Sequence, residues 1–493
     1  MRLAPVLCAA LLAACADMHG IQAGGPPKAP TDYASASVLP DQGGQWPDAC
    51  WLTAIGGAPL QRLADEALAG NPGLQVAAAR VATARAMVET AGAASRPAIS
   101  ASFATTRQRF TENSIYPPPF AGSYVTDNEL ALNLSYDLDF WGKHGAQLRS
   151  ALSQSKAAEA EAYAARLLLA TSIARAWVQL ASDYAQLDLT RQQSALREQL
   201  QSLTRQRYAA GLDTESDDQQ SRVQSANLGA ELARRNEAIA LARNQLAALL
   251  GQGPDRGLSL PQPTLAPEAA LALPGELPLG LLGRRPDIVA ARWQVEAALS
   301  DIKVAGTAFY PNVNLTAMVG LSSLGWSKFL SQGSLIDGIG PAIHLPVFEG
   351  GTLRAQLKGR VAAYDGAVAT YNQALAEALH EVADRVQSLR SADVEKLHQQ
   401  AASVAAERGV QLAQQRQQVG TVNMLQVVAA RIAYLAQRKL ELDTRARRAD
   451  LHIGLIKSLG GGFDAAAAGL ANADHASTSS QPALQPPLAN RAP

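Results

Sequence analysis

The sequence predicts a mainly α-helical protein with a smaller β part, built from two tandem repeats. Three observations predict it. The hydrophobic share is 47% but the aromatic share only 5%, so alanine carries much of it. Together with abundant Gln, Arg and Glu, this suits long helices, because these side chains lose little freedom in a helix. A second observation is a duplicated motif order, which is the signature of a repeat architecture. The third is a pair of period-two segments in each repeat, the pattern of strands with one apolar face. Lys plus Arg and Asp plus Glu both total 43. Bulk charge therefore offers nothing to attract nucleic acid or an acidic substrate.

At the N-terminus, Met1-Arg2 is a short positive region and Leu3 to Ala14 an apolar stretch too short to span a bilayer. It ends Leu12-Ala13-Ala14-Cys15, which resembles a bacterial lipobox. The reading is a signal peptide (1–14) followed by a lipid-bearing Cys15; an ordinary signal peptide with an incidental cysteine would look similar. More than one acyl chain gives stable membrane anchoring. Asp17 is two residues beyond Cys15 rather than next to it, which leaves the outer membrane open as destination. Residues 15–48 are rich in Gly, Pro, Ala and Ser and read as a lipidated tether. Cys50 has no partner for an intramolecular disulfide and reads as a small buried residue beside Trp51.

The first repeat is placed at 49–253, a linker at 254–284, the second repeat at 285–462 and a disordered tail at 463–493. Pro72, Ala77, Val81, Ala84, Ala91, Gly92 and Pro97 recur 214 residues on as Pro286, Ala291, Val295, Ala298, Ala305, Gly306 and Pro311. Further along the offset is 209: Ala146-Gln147-Leu148 matches Ala355-Gln356-Leu357, Arg207 matches Arg416, Gly211 matches Gly420, and Leu250-Gly251 matches Leu459-Gly460. Each repeat begins with a helix, about Pro72–Ala94 or Pro286–Ala308, started by its proline and stopped by the next one. Two strands follow, a very long helix (about Gly145–Tyr208 or Thr352–Gln418), a tight glycine turn and a return helix (about Glu215–Leu250 or Val422–Leu459).

The strands are placed at about 98–108 and 129–140, and at about 312–321 and 338–348. Leu130, Leu132, Leu134, Tyr136 and Leu138 alternate with Asn133, Ser135 and Asp137; Val313, Leu315, Ala317 and Val319 alternate with Asn312, Asn314 and Thr316. Runs of about ten residues with one apolar face suit a membrane barrel strand, although a half-buried soluble sheet shows the same alternation. Tyr116, Phe120, Tyr124, Trp141, Trp326 and Phe329 lie near the strand ends, where interfacial aromatics sit. Four strands cannot close a barrel around a lumen, since the smallest outer-membrane barrels have about eight. Several copies must each contribute four, and three copies give twelve. A helix of about 65 residues is on the order of 100 Å long and needs coiled-coil partners. Trp177, Leu180, Tyr184 and Leu187, and Val428, Ile432 and Leu435, have the spacing of such seams. No nucleophile elbow, phosphate loop or metal-ligand spacing is present, so the sequence offers no catalytic residues, no cofactor site and no metal site.

The motifs Asn71-Pro72-Gly73-Leu74, Leu134-Ser135-Tyr136-Asp137-Leu138-Asp139-Phe140-Trp141-Gly142, Arg207-Tyr208-Ala209-Ala210-Gly211-Leu212, Leu282-Gly283-Arg284-Arg285-Pro286-Asp287, Pro346-Val347-Phe348-Glu349-Gly350-Gly351 and Leu459-Gly460-Gly461-Gly462 resemble the outer-membrane factor family, the TolC-like exit ducts of tripartite pumps, in its NodT-type lipoprotein branch. The resemblance runs from about Trp46 to Gly462. It implies a homotrimer with a twelve-stranded outer-membrane β-barrel over a long α-helical coiled-coil barrel in the periplasm. It also implies outer-membrane lipid around the barrel, a periplasmic adaptor at the tip and an inner-membrane RND transporter beyond it. The tip turns are then at Arg207, Tyr208, Gly211, Arg416 and Gly420. Family members narrow the tunnel there with acidic and polar side chains. Asp217 falls on such a position with Asp218 beside it; the second tip has Ala429 where the family usually has Asp, and Arg431 two residues on. Asp217 and Asp218 also read as solvated first-turn residues complementing a helix N-terminus. The expected function is export of drugs or other small molecules without catalysis. The alternatives are a duct for type I protein or peptide secretion and a periplasmic coiled-coil scaffold or adaptor.

Overall fold

The computed structural model describes residues 18–34, 37–39, 43–48, 50–113, 115–264 and 277–471. The signal segment and Cys15 lie outside the described residues. Each repeat opens with a helix begun by proline: α2 (Pro72–Ala93) and α7 (Pro286–Thr307). A further helix, α1 (Trp51–Gly70), precedes α2. It went unread because Gly56, Gly57 and Pro59 break its pattern; Gly57 kinks it at φ +68°. Two long helices, α3 (Lys143–Ala209) and α8 (Thr352–Gln418), each have 67 residues, about 100 Å at the α-helical rise. Their return helices are α4 (Glu215–Leu249) and α9 (Met424–Ser458). Within the linker stand two short helices, α5 (Asp255–Leu258) and α6 (Leu277–Arg284).

The strands β1 (Ala98–Arg109), β2 (Tyr124–Leu138), β3 (Asn312–Leu324) and β4 (Leu335–His344) form one antiparallel sheet in the order β1-β2-β3-β4. The second strand of each pair begins earlier than the alternation suggested, by five residues in β2 and three in β4. The hairpin registers set these starts: Arg109 pairs with Tyr124, and Leu321 with Leu335. β4 also ends before Pro346, which has no N–H to give a ladder.

Burial is concentrated in the half of the helical body nearer the sheet. Trp51, Leu60 and Leu63 of α1 pack with Ile173, Trp177, Leu180 and Leu187 of α3 and with Ile239 and Leu246 of α4. Leu281, Ile288 and Val295 pack with Tyr364, Val368, Tyr371, Leu375 and Val382 of α8 and with Leu455 and Leu459. Toward the glycine turns the helices run as thin hairpins: among the described residues, α4 before Ile239 buries only Asp218, and α8 beyond Ala392 buries only Ser403. α7 contacts both α3 and α8, whereas α2 contacts α3 and has no buried residue.

Two flanking segments are better fixed than their composition suggests. Residues 18–34 of the expected tether follow α8: Arg354 donates to the His19 carbonyl (3.0 Å), Gly24 N–H to Asp365 (2.8 Å), and Lys28 N–H to the Asn372 side chain (2.9 Å). The expected disordered tail begins with packed residues, for Ala465 and Leu470 are buried against Trp293, whose indole donates to the Leu470 carbonyl at 2.9 Å. Residues 472–493 lie outside the described residues. Cys50 is exposed rather than buried; it is the N-cap of α1, ahead of the packed residues.

Candidate functional site: the sheet face and the helix tips

Across the four strands the register aligns apolar side chains on one face. Ile99 faces Leu134, Leu132 faces Val319, Leu134 faces Ala317, and Ala317 faces Ile339. This face stays open: Ile99 is 71% exposed and Ile339 77%. The opposite face is polar and internally bonded. Asn314 donates to Ser135 (2.9 Å) and Asn133 to Ser102 (3.2 Å). Aromatic groups bracket the apolar band. Phe103, Trp326 and Phe329 cluster at the end far from the helices, with ring centroids 5.8 to 6.3 Å apart. At the helix end Trp141 stacks on Tyr310 (4.6 Å) and its indole donates to the Pro311 carbonyl (2.7 Å). An apolar band with a polar reverse side and aromatics at both rims fits a bilayer's hydrocarbon and its two interfaces. Among the described residues, both outer strands, β1 and β4, have an unpaired edge. Among the described residues no helix is long and apolar enough to cross a membrane.

At the other end, both helix turns use the same cap. Gly211 (φ +71°) donates to the Tyr208 carbonyl and Leu212 to the Arg207 carbonyl, each at 2.9 Å. Gly420 (φ +76°) donates to Gln417 (3.0 Å) and Thr421 to Arg416 (2.9 Å). This pairing is the Schellman motif, and its left-handed residue favours glycine. The sequel differs. Arg207 grips Asp213 with two bonds of 2.8 Å, while Val422 stands where the second repeat would have that aspartate. Leu212 and Val419 are exposed at the very ends (67% and 74%).

The sequence profile of outer membrane efflux proteins matches residues 63–252 and 277–461. The chain belongs to this family. MdtP of Escherichia coli O6:H1, a multidrug resistance outer membrane protein, is 31% identical over 85% of this chain and 88% of its own. FusA of Burkholderia cepacia, a fusaric acid resistance protein, is 39% identical over 66% of this chain and 62% of its own length. The crystal structure of the outer membrane protein VceC from Vibrio cholerae superposes with a TM-score of 0.77 at 37% identity, covering 85% of this chain and all of VceC. A membrane protein from Pseudomonas aeruginosa gives 0.77 at 28% identity, over 89% and 99% of the two chains. As a member of this family the chain is an outer-membrane channel protein with a long periplasmic helical extension, and not an enzyme.

In this efflux-protein frame the sequence-selected residues separate. Arg207, Tyr208, Gly211, Arg416 and Gly420 all fall at the two turns. Asp217 completes a capping box with Thr214: its Oδ2 accepts from the Thr214 N–H (2.9 Å) and hydroxyl (2.6 Å), and its own N–H donates back to Thr214 Oγ (3.3 Å). These bonds hold its carboxyl below the ordinary aspartate range, the Thr214 hydroxyl contributing most, so it stays charged while exposed. Asp218 is different from either expectation. It is 3% exposed and paired with Arg222 at 2.8 Å, so in this chain it neither lines an open surface nor sits in solvent. Arg431 is half-buried and is the repeat counterpart of Arg222, but Val427 replaces Asp218 as its neighbour one turn before. Among the described residues, the first-turn acids Glu215, Asp217 and Asp218 of α4 have no acidic counterpart in the first turn of α9.

Two features escaped the sequence reading. Arg285, inside a quoted motif but given no role, is the buried hub of the upper body. It is doubly bonded to Asp287 (2.7 and 3.1 Å) and bonded to Glu381 (2.9 Å) and to the Ser458 carbonyl (3.1 Å). Burial opposes its charge, but the two carboxylates outweigh that and raise its pKa further. The other feature is a polar layer joining α3, α4 and α9 where the close packing ends. Asp183 takes a bond from Gln179 (3.0 Å), Gln186 donates to Asp443, and Lys439 and Arg235 bind Glu231. Burial pushes the Asp183 and Asp443 carboxyls up. Helical periodicity marks such positions as facing inward without telling a polar layer from a core stripe.

Proposed function

We propose that the protein is the outer-membrane duct of a tripartite RND-type efflux pump, assembled as a homotrimer and passing drugs or other small organic molecules outward. The observation that carries this reading is the incompleteness of the sheet: four strands with one continuous exposed apolar face and two unpaired edges, attached to helical hairpins about 100 Å long. Open edges do not persist in a bilayer, where every backbone group needs a partner. Three copies give twelve strands and a closed wall with the polar face inward. The exposed turns at Gly211 and Gly420 are the surfaces offered to a periplasmic adaptor, and the inner-membrane transporter supplies the energy. Resistance to multiple drugs and to fusaric acid in the named relatives supports a small-molecule cargo.

Cys15 is proposed as a lipid anchor. The strap along α8 supports this: His19 is bonded to Arg354, in the first turn of α8 next to the sheet. Cys15 is four residues before His19 in sequence, a separation of at most about 14 Å of extended chain, short enough for a lipid on it to be compatible with that end of the helical body. The capping carboxylate of Asp217 is proposed as the negative charge of the tunnel mouth, three copies forming a ring that favours cations.

Planar-bilayer recording of the purified full-length protein tests the duct. The expected result is discrete, cation-preferring conductance from a particle of trimer mass. A trimer that inserts but passes no current in any condition, including after removal of the tip turns, overturns it.

A further inference from the structure

The two repeats are related by fixed offsets, and the strand pairing obeys them. Adding 214 to Ala98 and 209 to its partner Ser135 gives Asn312 and His344, which are themselves partners. The pairing of β2 with β3 inside the chain therefore has a counterpart between copies: β4 of one copy with β1 of the next. In the chain Asp127 lies opposite Leu324. Moving the first forward by 209 and the second back by 214 sets Ile336 opposite Phe110 of the neighbouring copy. One step along, Asp337 meets Arg109 of the neighbouring copy, then Ile339 meets Arg107 and Ile343 meets Phe103.

Three things about this register come from side chains that played no part in deriving it. It matches apolar face with apolar face, although a slip of one residue would put each strand's apolar set opposite the wrong face. It also gives a partner to Asp337, an exposed carboxylate on the apolar face between Leu335 and Ile339, with no ion pair among the described residues. Arg109 lies directly opposite and Arg107 diagonally, both within reach of a carboxylate on a sheet face. The same transformation works on the helices. α7 packs on α3, with Ser150 donating to Asp301 (2.6 Å) and Ala290 buried in one cluster with Ala157 and Ala160. Shifted, these contacts become α2 on the neighbour's α8: Met87 meets Gly359, and Val76 meets Gly366 and Ala369. Val76 and Met87 are exposed large apolar residues of α2 (55% and 54%), and the space above Gly359 and Gly366 is open. Large apolar residues fall on glycines.

We infer that neighbouring copies close in this register, with Asp337 held between the neighbour's Arg107 and Arg109 and with Val76 and Met87 seated on its Gly366 and Gly359. The inference rests on the trimeric reading above and adds the seam by which a second copy is recognised.

Paired cysteines in the full-length protein, on a Cys50→Ser background, test it. Arg109→Cys with Asp337→Cys, and separately Met87→Cys with Gly359→Cys, are oxidised and run on non-reducing denaturing gels. The expected result is covalent dimer and trimer in both, at least tenfold above the slipped pair Thr105→Cys with Asp337→Cys. Equal or reversed yields, or no cross-link from a particle whose native mass is a trimer, overturn the register and leave the trimer standing. A monomeric native mass overturns the trimer itself. As a second arm, Asp337→Arg and Arg109→Asp should each lower the temperature at which the trimer dissociates in detergent, and the double reversal should recover at least half of the loss. Losses that simply add remove the ion pair from the seam.

Discussion

Replacing Arg285 with methionine keeps the volume and removes the charge from the joint between the linker, α8 and α9. Four hydrogen bonds go: two to Asp287, one to Glu381 and one to the Ser458 carbonyl. Removing one partner of a buried ion pair costs about 3–5 kcal/mol, because the other charge is left without compensation. Here both stranded carboxylates keep some water, Asp287 at 45% and Glu381 at 27% side-chain exposure. Lys457 also stands 3.8 Å from Glu381. The low end, about 3 kcal/mol, applies, which is a rate factor on the order of 150 at about 1.4 kcal/mol per decade. Local opening is the quantity to measure, since amide exchange reports the free energy of each cooperative unit separately. Exchange of amides in 286–292 and 452–461 should accelerate by about that factor. At the matching place in the first repeat, Asn71 gives a single bond to the Leu249 carbonyl (2.8 Å) and caps α2. Asn71→Ala should cost about 1–2 kcal/mol and accelerate exchange at 72–76 and 246–250 by about five- to thirtyfold. The pH dependence has a definite sign. Burial pushes the Asp287 carboxyl up, but Arg285 outweighs it and leaves the net shift downward. The stability this adds is present above the unfolded-state value of about 3.9 and is lost as pH falls through the lower folded value. Methionine should abolish that acid-side loss around α7. An acceleration under fivefold, or one no larger than for Asn71→Ala, refutes the hub.

Four other outcomes are expected. Gly420→Ala forces a left-handed alanine at φ +76° and should cost about 1–2 kcal/mol, read as faster exchange confined to the second turn; an unchanged tip means that the turn relaxes freely. Burial holds the Asp183 carboxyl above its ordinary value, so its ionisation costs stability as pH rises through the folded value; Asp183→Asn should raise the melting temperature at pH 7.5 more than at pH 4, and a loss at both would show the charge to be wanted. Asp217→Asn should lower cation selectivity in bilayer recording and loosen the first turn of α4, whereas unchanged selectivity would place Asp217 off the lumen. Cys15→Ala should still give inserted, conducting channels, with the barrel as main anchor; complete loss of insertion would make the lipid primary.

Much of the architecture was legible because it rests on patterns with long reach. Alternation over ten residues identified the strands, and proline and glycine positions bounded the helices to within two residues at most ends. What was not legible has local physical reasons. α1 hides behind two glycines and a proline. Residues 18–34 read as a tether because Gly, Pro and Ala make up most of them, yet the backbone N–H groups of Gly24 and Lys28 found side-chain acceptors on α8. At the tip, adjacency in sequence was a poor guide: Asp217 points to its own cap while Asp218, one residue and about 100° around the helix, is turned into the hairpin toward Arg222. Arg285 stood in a recognised motif, but no periodicity announces that a guanidinium will be surrounded by two carboxylates and a helix-end carbonyl.

The repeats also show which requirements belong to the fold and which to one half of it. Both return helices end in the same Schellman cap, at Gly251 and Gly460, and in both the last turn carries a carbonyl bonded by the residue before the proline helix that opens the same repeat: Leu249 by Asn71, and Ser458 by Arg285. The carbonyl is the constant, and the donor has diverged from an amide to a cation with two further partners. The tips diverge in the same manner. The glycine caps are identical, while Asp213, Asp217 and Asp218 of the first hairpin become Val422, Gln426 and Val427 in the second. Backbone geometry is thus duplicated and charge is not. In the proposed ring of three copies, hairpins with acidic first turns alternate with hairpins that lack them and keep Arg416 and Arg431, so the proposed tunnel mouth and adaptor surface have threefold rather than sixfold electrostatics. An adaptor that reads charge has three like positions to bind, and one that reads only the glycine turns has six.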